Sequence, residues 1–108
     1  MTIKQLKRLQ KMLQVQGVSY EIKVDFRNSF GRDGRYEYND IDTAYEAAKN
    51  YVLEKAEGGS FAAVEILLYK SDEKIGWWLV GNVTVKPEYN GYYGNGYPIP
   101  VSNTIIVK

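Results

Sequence analysis

Between Val18 and Phe26 the chain alternates without a break: Tyr20, Ile22, Val24 and Phe26 fall on one parity, and Ser19, Glu21, Lys23 and Asp25 on the other. A repeat of two marks a strand with one buried face, because successive side chains leave a pleated strand on opposite sides. A stretch committed this firmly to a half-buried sheet obliges the rest of the chain to cover the sheet's apolar face.

Two segments have the period to do so. After Thr2, a short polar residue suited to capping free backbone N–H groups, Ile3, Leu6, Leu9 and Leu13 recur at helical spacing, and this helix is expected to stop near Gly17. A second helix is expected from Asp40 as its cap to about Ala56, with Ile41, Ala44, Tyr45, Ala48 and Val52 as inner stripe and Gly58-Gly59 as its end. Its alanines permit close approach to a sheet.

The remaining segments read as strands and turns. Arg27 to Gly34, with Asn28, Ser29, Gly31 and Asp33-Gly34, is a turn-rich connection, and Arg35 to Tyr38 resume alternation as the return arm of an antiparallel hairpin. Gly31-Arg32-Asp33-Gly34 matches the pattern of a glycine-flanked RNA-clamping loop, but that loop lies between helices, whereas this one joins two strands and is read as a hairpin turn. Phe61 to Tyr69, with Ala62, Val64, Ile66 and Leu68 sharing a face, and Trp77 to Lys86 form a second hairpin around the charged turn Lys70 to Lys74. Pro87 is expected to halt that strand, the stretch from Tyr89 to Pro100 to form a long loop or a short twisted excursion, and the mostly β-branched Thr104 to Val107 to close the chain as an edge strand. The expectation is a single α+β domain over residues 1–108: one mainly antiparallel sheet of four to five strands with two helices on one face, in the order α-β-β-α-β-β with a further strand at the end.

Function is constrained chiefly by what is missing. The 108 residues include no cysteine and no histidine, which removes disulfides, thiolate metal sites, the commonest neutral metal ligand and the commonest general base together. No phosphate-binding glycine loop, nucleophile elbow, zinc motif, calcium loop or dinucleotide fingerprint occurs. Of the carboxylates Glu37, Asp40, Asp42 and Glu65, the middle two are accounted for at a helix start, so no acid pair is singled out for hydrolysis. The expectation is a protein that is not an enzyme and holds no metal or cofactor. Met1 leads directly into a lysine-rich amphipathic segment, and the longest apolar stretch of the second half, Ile75 to Val80, is broken by Gly76 and falls far short of the ~20 residues of a membrane span. A cytoplasmic location is expected.

Three features could hold a partner. Tyr89, Tyr92, Tyr93 and Tyr97, spaced by glycine and asparagine, have the composition that paratopes favour, since tyrosine brings contact area at little cost in rotamer entropy. Trp77 and Trp78 lie on opposite faces of a strand, so at most one fills the core; the other would join Leu67 and Tyr69 in an apolar patch on the uncovered face. Lys4, Lys7, Arg8 and Lys11 form a basic stripe on the first helix, which with Arg27, Arg32 and Arg35 would suit phosphates or an acidic partner. A protein-binding module, an inhibitor or adaptor of the type that phages and mobile elements carry to block a host complex, is the leading expectation, by analogy of type alone. A nucleic-acid binder using the basic residues and stacked tyrosines is the second, and a small-ligand pocket or enzyme between sheet and helices the third. An exposed last strand would also allow a homodimer.

Overall fold

A computed structural model describes residues 1–58 and 60–87 in full, and residues 88–89 and 96–100 by their backbone. The elements are α1 (Ile3–Val15), β1 (Tyr20–Asn28), β2 (Gly31–Tyr38), α2 (Ile41–Glu57), β3 (Ala62–Asp72), β4 (Gly76–Tyr89) and β5 (Gly96–Pro100). The strands form one antiparallel sheet in the order β2-β1-β3-β4-β5. This is the α+β fold expected.

The core is the sheet face that carries Ile22, Val24, Val64, Ile66, Leu68, Val83 and Val85, roofed by Ile3, Leu6 and Leu13 of α1 and by Ile41, Ala44, Ala48 and Val52 of α2. Both helices begin where short polar side chains satisfy free N–H groups. The Thr2 hydroxyl accepts from the Gln5 amide while the Gln5 side chain accepts from the Thr2 amide, a reciprocal capping box. The Thr43 amide donates to Asp40 at 2.7 Å, and this bond holds the Asp40 carboxyl below the usual aspartate range. Asp40→Ala is expected to cost about 1 kcal/mol and so lower the melting temperature by roughly 4–8 °C at neutral pH. Because the native carboxyl titrates below its unfolded value, this contribution is lost as pH falls through the native pKa, and the melts of wild type and variant converge in acid.

The first hairpin turns much more tightly than the sequence suggests. Rather than an eight-residue connection, Arg27 to Gly34 is mostly strand, with Ser29 and Phe30 as the turn; Asn28 sets it up by accepting the Phe30 amide at 2.8 Å. The glycines that suggest a loop serve the strand instead. Gly31, at φ +119°, opens β2, and the Tyr36 ring folds over Gly34 so closely that a Cβ there would lie 2.7 Å from it.

Nor does Pro87 end β4. The strand continues to Tyr89 because β3 pairs with it only as far as Val85, beyond which no β3 carbonyl calls for the missing N–H. The added partner is β5, which pairs Gly96 to Pro100 with Tyr89 to Val85, so part of the expected loop is a strand. The strand expected over Thr104 to Val107 lies outside the described residues. Both strands that are outermost among the described residues carry features that discourage pairing with another chain: Pro98 and Pro100 in β5, and in β2 a register shift among the charged residues Arg32, Asp33 and Arg35.

Candidate functional site

The hairpin of β3 and β4 reaches past the helices. Near its tip β4 carries Trp77 opposite Ser71 and Trp78 opposite Lys70, and a register shift at Leu68/Tyr69 sets these pairs apart from the core ladder. α1 meets β4 at Gly81, where the Leu6 and Met1 side chains press on the glycine, and the roof stops there. Trp78, three residues nearer the tip, therefore escapes cover although it lies on the helical side of the sheet. Trp77 points to the other side with Tyr69 and Leu79.

Both indoles are thus accessible, Trp77 at 48% and Trp78 at 52%, and their neighbours Ile75 and Leu79 are 61% and 43% exposed. At most one tryptophan is expected in the core from the sequence, and neither lies there, because the helices do not extend over the strand as far as Trp78. The Lys70 ammonium stands 5.7 Å from the Trp78 ring, and Asp72, Glu73 and Lys74 make the turn itself polar, with Asp72 accepting the Lys74 amide.

The uncovered sheet face is not the apolar patch expected around Leu67. That side chain is buried, with Lys23 and Asn82 as its cross-strand neighbours. Asp25 dominates the face: only 2% exposed, it accepts from Arg35 Nε at 2.6 Å and from Arg35 Nη2 at 2.8 Å, while Arg32 stands at 3.5 Å. The Arg35 bonds lower the Asp25 pKa against the opposing effect of burial, and the charges of Arg32 and Arg27 add to them. Arg35 is raised in return, first by Asp25 and also by a bond with Tyr69. Arg35, expected to meet a phosphate, is therefore occupied within the fold.

On α1, Lys4, Arg8 and Lys11 face solvent, whereas Lys7 reaches Asp42 of α2 at 2.8 Å, which interrupts the stripe. Beside it Met1, Gln5, Arg8, Leu9 and Met12 border a shallow groove of about 490 Å³. The backbone of Tyr89 ends β4 and that of Tyr97 lies in β5, opposite Glu88, so the strand carries these two tyrosines at the end remote from Trp77 and Trp78. Tyr92 and Tyr93 lie outside the described residues.

The structure adds residues that the sequence did not single out. Ile75 and Leu79 complete the tip, and Phe30 and Phe61 are exposed at the opposite end of the sheet. A large apolar residue at a hairpin turn, such as Phe30 after Asn28-Ser29, was a signal available for the latter. No helix among the described residues is long and apolar enough to cross a membrane, and no three acidic side chains there gather as metal ligands would. No family model, curated protein or solved structure matches this chain.

Proposed function

We propose that the chain is a non-enzymatic protein-binding module, an inhibitor or adaptor, that docks through the tip of the β3–β4 hairpin. The observation that carries this reading is the exposure of Ile75, Trp77, Trp78 and Leu79 within five residues of one strand end. Apolar groups left in water at this density forgo roughly 25 cal/mol for each Å² that a partner would bury, and tryptophan is the residue most enriched where binding energy concentrates. Since the indoles project from both sides of the hairpin, the complementary surface is a cleft that receives the tip rather than a flat face. The acids Asp72 and Glu73 at the turn favour basic groups at the cleft's floor and oppose burial of the tip in lipid. Tyr89 and Tyr97, whose backbones lie at the other end of β4, belong to a second contact in this reading.

Affinity capture from the source cell, at low and moderate salt, tests the proposal. A partner held by the wild-type chain at both salts, and by a Lys4→Glu/Arg8→Glu variant, is expected to be lost with Trp77→Ser/Trp78→Ser while the melting temperature stays put. Capture of the same partners by the double tryptophan variant would remove the proposal.

A further inference from the structure

At the end of the sheet away from the tryptophans, two arginines are placed directly against one another. Arg27 of β1 is the cross-strand partner of Arg32 of β2, an arrangement that like charge disfavours. Asp25 does little to relieve it. Its two oxygens are taken by Arg35, Arg32 reaches it only at 3.5 Å, and Arg27 forms no ion pair among the described residues. Glu65 is the other acid nearby, and its carboxylate accepts from Asn82 at 3.1 Å. Asp33, next to Arg32 in the chain, accepts from the Tyr51 hydroxyl with Phe26 and Tyr36 on the helical side, so on this face three guanidinium groups stand against these two carboxylates.

Arg27 and Arg32 open onto a common cleft of about 720 Å³, bordered also by Asn28, Ser29, Gly31 and Phe61. That volume suits a small organic ligand. Phe61 lies 51% exposed at its rim, an aromatic ring free to stack. The Phe61 amide donates to the Ser29 hydroxyl oxygen at 3.2 Å, which anchors the phenylalanine to the turn and leaves the Ser29 O–H to donate elsewhere. Asn28 is spent on the fold, donating to Tyr51 and accepting from Phe30.

We infer that this cleft binds a nucleotide, its phosphate between Arg27 and Arg32 and its base on Phe61. An anion held there turns the repulsion of two guanidinium groups into charge-assisted hydrogen bonds, and arginine's planar fork matches phosphate oxygens. A stacking ring beside the arginines selects a phosphate that carries a flat base over inorganic phosphate. A free mononucleotide and a residue within a single strand present the same chemistry. The site is independent of the tryptophan tip.

Calorimetric titration with AMP, short oligouridine and inorganic phosphate, against the wild-type chain and three variants, tests the inference. AMP or oligouridine is expected to bind more tightly than phosphate, and Arg27→Gln and Arg32→Gln each to weaken that binding by on the order of tenfold or more. Phe61→Ala is expected to abolish the preference over phosphate, and Trp77→Ser/Trp78→Ser to change nothing. Without ligand, Arg27→Gln should melt no lower than wild type, because it removes a repulsion. Tighter binding of oligouridine than of AMP, with strong salt dependence, identifies a strand as the source, and equal binding a free nucleotide. Absence of binding by both nucleotide probes, or binding that survives Arg27→Gln/Arg32→Gln, overturns the assignment.

Discussion

Asp25→Ala is expected to lower the melting temperature by roughly 10 °C at neutral pH, the equivalent of about 2 kcal/mol in a domain of this size. Loss of one partner of a fully buried ion pair costs ~3–5 kcal/mol, but Arg35 keeps 41% of its side-chain surface in water and can rehydrate, which reduces the penalty. What rehydration does not remove is the mutual repulsion of Arg32 and Arg35, both of which stand on the Asp25 carboxylate. The same substitution changes the response to acid. The native Asp25 pKa lies below the ordinary value of 3.8, so the stability it supplies is complete above that value and is lost as pH falls through the native pKa. Thermal melts from neutral pH to strong acid should therefore show a steep decline in wild type and a shallower one in Asp25→Ala. Identical acid profiles for the two proteins would show that the arginines contribute nothing to holding Asp25 charged.

Trp77→Ser/Trp78→Ser is expected to produce the opposite division of effects, with stability nearly unchanged and partner affinity reduced by about a hundredfold or more. Surface substitutions away from the core stay within about 0.5 kcal/mol, whereas a tryptophan in a desolvated interface contributes ~2 kcal/mol or more. The two losses need not add, since both rings enter one cleft and removal of either loosens the other. Measured affinities of the single and double variants, set beside their melting temperatures, separate this role from a structural one. A large fall in melting temperature would place the rings in the fold's own packing.

The contrast between these two sites explains what could be read from the chain. The helices, their caps at Thr2 and Asp40 and the strand faces through Ile22, Val64 and Val85 are written in local periodicity, and each local preference agrees with the packing around it. The Asp25 cluster was not legible. It requires knowing that β2 folds back on β1 after a two-residue turn, and the glycines at 31 and 34 suggested a loop there instead. Pro87 misled for a related reason: whether a proline ends a strand depends on which neighbour is paired at that point of the ladder, and the β3–β4 pairing stops at Val85. The tryptophan pair was found, but its double exposure depends on how far α1 extends over β4, a tertiary distance that alternation does not encode.

Both tryptophans of the chain lie in the proposed docking tip, so intrinsic tryptophan emission of the native protein reports on that tip alone. The spectrum should sit close to that of the chain unfolded in denaturant, with ready quenching by acrylamide, and should shift to the blue when the captured partner is added. A native spectrum already shifted to the blue and shielded from acrylamide would mean that the rings are packed away, and the docking tip would not exist.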